Sequence, residues 1–525
     1  MNDLYVFAIG GSGERVFKSL VMMLAAGMPI GAKRIIPVFV DNDAKSDALT
    51  SCEKLIEYYC SDPQNNSADQ FVGLHPLCKE VGSNIPTFAH VQIEKPVKLN
   101  VAGDQIGTLD KIIGQLNAQK SQEEEWIEEE KNLLFTKDDL EMPLTVGFVG
   151  NPNIGAVVLN SLSLQGEAFQ NIFGKITQND GAFVIGSLFG GTGAAGIPLI
   201  VNKLKTKSVG QQPLIGGCTC LPYFNVNAAT GSTPSQIDTS RYDVNSDTFY
   251  LKTRAALMYY DVFMRDNINH LYYVGDDKNR SNYQKCVGGE KQRNPYNLIE
   301  VMAALTVVDF SKQDVANRPA QVVYHRPLWD FNAENNSVSN ISCIRNQELK
   351  KALAKFQMMK VMFENDDFLN WSLAQSHDFV LSTKFDNKIL NAIRDEHNLP
   401  QYPKAWALNK FFKEWDLWFK ELGASNLKRQ LRIFDYNGVT KENVSQKFYA
   451  NSANGIAKTE EKREGLFKKR TVTRVLSPRI EDEMHEAFKE LKIETAKLTS
   501  EQSLPTILKI ISKALDNVID SNCAI

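Results

Sequence analysis

Between Ala182 and Leu204 an apolar run passes through Gly190, Gly191, Gly193 and Gly196 directly into a helical pattern that starts at Ala194, and few folds accommodate such a segment. A tight strand-to-helix turn needs one or two glycines, not four. Glycine here lets backbone N–H groups approach an anion, and a helix opening at the glycines adds the positive end of its dipole. The strand read over Ala182–Leu188 therefore ends in a candidate anion loop.

The same grammar recurs at the start of the chain. Leu4–Ile9 is a compact apolar run that stops at Gly10, Gly11, Ser12 and Gly13, after which Val16, Phe17, Leu20, Val21 and Leu24 follow at helical spacing. Further buried-type strands are read at Ile35–Val40, Leu144–Val149, Pro213–Cys220 and Ile268–Val274. Continuous apolar strands alternating with helices predict an α/β fold, a doubly wound and mostly parallel sheet. Residues 60–143 lose the pattern and read as an insertion, with the acidic run Glu123–Lys131 as a solvated helix.

A chain of 525 residues exceeds the usual single core of about 100–200 residues, so more than one domain is expected. From about residue 345 strands nearly vanish. Leu349, Ala352, Phe356, Met359 and Phe363 form one apolar helical stripe. Leu408, Phe411, Phe412, Trp415, Trp418, Phe419 and Leu422 form another, and both read as packing faces. Two last helices are read around Ile480–Ile493 and Thr506–Ile519, and the basic segment Lys458–Arg474 reads as a solvated or loop segment. The expected division is a nucleotide-binding domain over 1–310 and a mainly α-helical domain over 311–525.

With 59 basic and 62 acidic residues the net charge is -3, which gives no global attraction to nucleic acid or anionic membrane. No apolar run is long enough to span a bilayer. Eight cysteines without a CxxC framework read as reduced thiols of a cytoplasmic protein, with Cys218 and Cys220 as a structural pair in a buried strand. The seven histidines form no HExxH or metal-ligand spacing.

Gly191-x-Gly193-x-x-Gly196 satisfies GxGxxG, but a dinucleotide site also wants an acidic residue ending the next strand, and that strand ends in Cys218-Thr219-Cys220. At the N-terminus Gly11, Gly13 and Asp41 meet that requirement, although Val16 stands at the third glycine. An NAD-dependent oxidoreductase using those three residues is one alternative. A GxxxxGK loop is absent.

Taken in order, the loops resemble those of the tubulin/FtsZ superfamily of GTP-binding, filament-forming proteins. Gly10-Gly11-Ser12-Gly13 stands where the family has its first glycine loop, and Asp41-Asn42-Asp43-Ala44 is similar to its NTDAQ-type second loop. Asn151-Pro152-Asn153-Ile154-Gly155 resembles the NPxxG part of the third. Phe189 to Gly196 resembles the GGGTG signature with Phe189 replacing the first glycine, and Pro222-Tyr223-Phe224 resembles the next loop. The resemblance covers roughly residues 1–310.

It implies GTP or GDP with Mg²⁺ bridging phosphate oxygens. Gly10, Gly11, Ser12, Gly13, Asp43, Asn151, Gly190, Gly191, Thr192 and Gly193 would surround the phosphates. An aromatic residue at the start of the central helix would stack on the base, which is Tyr296 here, and Glu300 one turn later would accept from the guanine edge. Asp276 and Asn279 are further candidates for ribose or base contacts. Family members hydrolyse GTP with acidic residues in the loop after that helix, yet Pro319–Pro327 carries none. No catalytic residue is assigned, and Asp309 and Asp314 are the nearest candidates. The expected function is nucleotide-dependent self-assembly, as a homo-oligomer or filament, or recruitment of a protein partner through the helical domain. A non-hydrolysing scaffold of the same fold is the other alternative.

Overall fold

A computed structural model of the full chain describes residues 1–43, 45–62, 71–79, 88–100, 107–117, 128–142, 144, 147–148, 150–162, 167–207, 211–227, 246–275, 281–284, 293–325, 346–364, 387–424, 457–464, 468–475, 486–487, 489–490 and 500–523. They divide into two compact units. One comprises Met1–Leu20, Ile30–Ile56 and Ile93–Pro327; the other comprises Val21–Pro29, Glu57–Gln92 and Leu328–Ile525. The second unit thus draws on Glu57–Gln92, most of which falls in the segment, 60–143, expected to be an insertion of the first domain.

The first unit is built on an eight-stranded sheet. Its strands are β1 (Asp3–Ile9), β2 (Arg34–Asp41), β3 (Gln92–Ile93), β4 (Val97–Asn100), β5 (Gly181–Ser187) and β6 (Leu214–Cys220). A separate pair, β7 (Phe224–Asn227) and β9 (Ser281–Gln284), brackets β8 (His270–Val274) in the chain, and β10 (Val322–His325) closes the sheet. The order is β10-β8-β6-β5-β1-β2-β3, with β4 also on β2. The pairs β1–β2, β1–β5, β5–β6, β6–β8, β8–β10 and β2–β4 are all parallel. Every residue of β5 and β6 is buried, as a parallel sheet covered on both faces requires.

The helices used below are α1 (Gly10–Ala25), α2 (Asp47–Cys60), α3 (Pro152–Leu162), α4 (Gly191–Lys205), α5 (Phe249–Phe263) and α6 (Leu298–Ser311). In α6 every residue except Asp309 is buried, so a sequence apolar on all sides becomes the central helix. It presses on β6 where a Cβ at Gly216 would lie 2.5 Å from the Phe310 ring. Cys218 and Cys220 are fully buried free thiols in β6.

The strand expected at Leu144–Val149 is not formed among its described residues. Gly147 and Gly150 have φ of 83° and 74°, which an extended strand excludes. Conversely, part of Pro319–Pro327 is an edge strand, with β10 in parallel register against β8 from Val322↔His270 to His325↔Tyr273.

The second unit contains α7 (Gln347–Glu364), α8 (Asn387–Arg394), α9 (Trp406–Ala424) and α10 (Ser500–Cys523). Both expected stripes pack inward: Phe356 lies 4.4 Å from Trp415 between ring centroids, and Trp415 and Trp418 are fully buried. Described residues of the 57–92 stretch join this core, with the Tyr59 hydroxyl donating to the Val91 carbonyl at 2.7 Å and Phe88 packed 5.8 Å from Phe356. Lys458–Arg474 is not a loop: Ala457–Glu464 and Lys468–Val475 pair antiparallel from Ala457↔Val475 to Glu464↔Lys468. The β-branched residues Thr471, Val472, Thr473 and Val475 favour a strand there. The helix expected around Ile480–Ile493 lies largely outside the described residues. Among the described residues no helix is long and apolar enough to cross a membrane.

Candidate functional site

Strands β1 and β5 are neighbours, but their chain connections run to opposite sides of the sheet, toward β2 and toward β6. Ligands of open α/β sheets bind outside the carboxyl ends of strands at such a switch point. Here α1 and α4 both begin there, at Gly10 and Gly191. The first N–H groups of each helix have no partner within it, and the N-cap of α4, Gly190, supplies no side-chain acceptor. Two helix N-termini thus present their positive ends to one place.

Close approach explains the glycines. A Cβ at Gly10, where φ is +67°, would stand 3.2 Å from Thr192 Cβ, so the first and fourth loops touch. At Gly191 it would meet Phe148 Cβ at 2.8 Å and the Asn151 nitrogen at 3.1 Å, which brings the third loop against the fourth. Gly155 of α3 packs the same way, its Cβ position 2.7 Å from the Gly191 carbonyl oxygen. Gly13 and Gly193 seat their helices on the sheet, where a Cβ would come within 2.8 Å of the Ile185 oxygen and 2.7 Å of the Ser187 backbone. Of the residues read as phosphate-binding, Gly10, Asn151, Gly191, Thr192 and Gly193 are thereby brought together, with Gly11, Ser12, Gly13 and Gly190 beside them in the same turns.

The end of β2 adds an acidic shelf. Asp41 Oδ1 accepts from the amides of Asn42 at 2.6 Å and Asp43 at 3.2 Å, and Asp43 Oδ1 accepts from Lys45 N–H at 3.1 Å. The Asn42 side-chain amide donates to the Leu144 carbonyl. Ser46 Oγ caps α2 by accepting from Leu49 N–H at 3.1 Å and donates to Glu14 Oε2 at 3.3 Å. Glu14 is fully buried, and its Oε1 has no hydrogen-bond partner among the described residues. Burial, reinforced by the Asp41 charge, holds the Glu14 carboxyl well above the usual range. Burial also pushes Asp41 up to about 7, opposed in part by the amide bonds it accepts. Ala44 lies outside the described residues.

The residues read as base contacts are placed otherwise. Tyr296 and Glu300 are not one helical turn apart, because α6 starts at Leu298 with Asn297 as its N-cap. Asn297 Oδ1 accepts from Ile299 N–H at 3.0 Å while its own N–H donates to Glu300 Oε2 at 3.1 Å, a reciprocal capping box. Glu300 Oε1 accepts from Arg15 Nε at 2.6 Å and from the Tyr223 hydroxyl at 2.9 Å. The carboxylate is fully buried and engaged through both oxygens. Arg15 also donates to the Tyr223 oxygen at 2.8 Å. Burial keeps the Tyr223 phenol protonated well above its ordinary range, so it stays a donor. Tyr296 is itself buried, with the Lys18 ammonium 4.4 Å from its ring centroid.

Beside this network lies an aromatic cluster. Phe189, standing where the resemblance has a glycine, is 4.8 Å from Phe249 and 5.2 Å from Phe224 between centroids, and Phe224 stacks on Tyr283 at 4.7 Å. Asp276 and Asn279 lie outside the described residues. Asp309 accepts from the Tyr272 hydroxyl at 2.7 Å, and Asp314 caps the turn after α6 by accepting from Ala316 N–H at 2.9 Å. Neither candidate catalytic residue belongs to the glycine-loop cluster. Sequence reasoning missed Glu14 and Arg15, although a charged pair following glycines in a helix that reads as buried was a signal, and it read Tyr223 only as part of the Pro222-Tyr223-Phe224 loop.

No protein-family model and no curated protein matches the chain. Among solved structures it is similar to CetZ2 from Haloferax volcanii, a GTPγS-bound protofilament, at 13% identity and a TM-score of 0.27, covering 59% of this chain and 58% of that one. It is also similar to CetZ from Methanosaeta thermophila at 12% identity and a TM-score of 0.21, covering 52% and 46%. The chain thus spans about half the length of each of these two structures.

Proposed function

We propose that the first unit binds the phosphates of GTP or GDP, with Mg²⁺, and that the bound nucleotide governs assembly with further copies or recruitment of a protein partner, as in the tubulin/FtsZ superfamily. The observation that carries this reading is the convergence of two glycine-opened helix N-termini, α1 and α4, at the switch point of a parallel sheet. Thr192, beside Gly10 in that cradle, offers a hydroxyl to a phosphate oxygen or to the cation. The phosphate half fits the residues present. The base half does not fit Glu300, whose oxygens are taken by Arg15, Tyr223 and Asn297. Preference for guanine over adenine is therefore expected to rest on other groups.

Within this reading, a non-hydrolysing scaffold is favoured over a GTPase, because Asp309 is held by Tyr272 and Val322–His325 forms an edge strand. The oxidoreductase reading loses its key residue, since Asp41 Oδ1 turns back on its own loop. Light scattering and negative-stain microscopy with GTP, GDP, ATP or no nucleotide, with phosphate release followed in the same tubes, test the proposal. Nucleotide-dependent assembly without turnover is expected. Assembly beyond a dimer that is indifferent to every nucleotide would overturn it.

A further inference from the structure

Helix α5 is apolar on two faces. Phe249, Thr253, Ala256 and Tyr260 are buried, and the Tyr260 hydroxyl donates to the Ala194 carbonyl at 2.9 Å, which fixes the helix on the first unit. On the other side Leu251, Met258 and Val262 are 70%, 66% and 74% exposed, and Ala255 is exposed between them. The spacing 251, 255, 258, 262 is the alternating four-and-three step of a heptad seam. Tyr259 and Phe263, tilted against each other with ring centroids 4.3 Å apart and about half exposed, widen it. The surface continues into a cleft of about 400 Å³ beside β10 whose lining includes Leu257, Tyr273 and Val323.

These side chains expose on the order of 600 Å² of apolar surface, the upper end for a monomer and close to one partner's share of a stable interface. The seam is also complementary to itself. If a second copy lies antiparallel across it, with the two-fold between Ala255 and Met258, then Leu251 faces Val262 and small Ala255 faces large Met258. On one flank Arg254 then lies beside the second copy's Asp261, an opposite charge. No charge of the helix is set against a like charge in this register.

We infer that the exposed face of α5 is an isologous contact with a second copy of this chain, packed antiparallel. An isologous two-fold contact closes on itself, so it is distinct from a head-to-tail filament contact and does not depend on nucleotide. Sedimentation velocity of the full chain without nucleotide, over a wide concentration range, should show a monomer–dimer equilibrium. Met258→Glu should raise the dissociation constant by at least about tenfold. Met258 is exposed, so an unchanged circular dichroism spectrum is the folding control. Mixing Leu251→Cys protein with Val262→Cys protein should give a disulfide-linked dimer that neither variant gives alone. A monomer at every concentration, a dimer indifferent to Met258→Glu, or cross-linking of Leu251→Cys to itself would each overturn the inference.

Discussion

Removing the Glu300 side chain separates a structural role from a ligand-binding one. Glu300→Ala leaves Arg15, whose side chain is 8% exposed, without its carboxylate at 2.6 Å. Stranding one member of a buried ion pair costs about 3–5 kcal/mol. The Asn297 N–H and the Tyr223 hydroxyl lose an acceptor as well, and loss of a cap alone costs about 1 kcal/mol. These groups share one network, so the costs do not add, and a net loss of about 4 kcal/mol is expected. Against a total of about 5–15 kcal/mol for a domain, this brings the first unit close to unfolding. Urea-pulse proteolysis, with the surviving fragments assigned by mass spectrometry, reads the first unit separately from the second. The double variant Arg15→Met, Glu300→Leu removes both charges and should recover most of the loss, because a buried pair replaced by apolar groups is often neutral. An unchanged urea midpoint for Glu300→Ala together with a tenfold loss of GTP affinity would refute the reasoning and return Glu300 to the base.

Three further outcomes follow from the same geometry. Gly13→Ala should destabilise the first unit by about 1–3 kcal/mol, since its Cβ would sit 2.8 Å from two backbone atoms, whereas Gly190→Ala, with φ of −92° and only the Ser187 hydroxyl in the way, should be near neutral by the same measurement. Asp41, at about 7, holds in the native state a proton that the unfolded chain releases near 4. Its contribution is therefore fully present below about pH 4 and lost as pH rises to about 7, at up to about 1.4 kcal/mol per pH unit. Asp41→Asn, which keeps an acceptor for both amides, should flatten the pH dependence of the urea midpoint over that window, and an unaltered slope would contradict the assignment. Trp415→Ala should cost the second unit about 3–5 kcal/mol in urea, because the ring is fully buried against Phe356 and Trp418.

The parallel sheet was legible because β1, β2, β5, β6 and β8 are each continuous apolar runs, and because glycines mark where β1 and β5 end. The edge strands were not. β4 and β10 are four residues long and include Lys98 and His325, and their pairing comes from neighbours distant in sequence. Leu144–Val149 has a strand's composition but is interrupted at Gly147 and followed by Gly150, both in a backbone conformation that only glycine accommodates readily. Among site residues, the glycine loops could be read because close approach demands one residue type. Glu300 could not be placed by its spacing from Tyr296. Asn297 and Glu300 spell an N-cap and its N3 partner, a local signature that fixes where α6 starts. The other half of the network, Arg15, lies 285 residues away, and no local pattern encodes that pairing.

Equilibrium binding of GTP to the wild-type chain and to Gly190→Asp tests the central claim most directly. Asp is a favoured N-cap, so the substitution supplies α4 with the acceptor it lacks and leaves folding unchanged or improved. The same carboxylate places a negative charge where the phosphates would lie. Saturable GTP binding by the wild type, abolished in a Gly190→Asp protein of undiminished stability, is the result expected. GTP bound equally by both proteins, or by neither, would contradict the assignment of the glycine loops to phosphate.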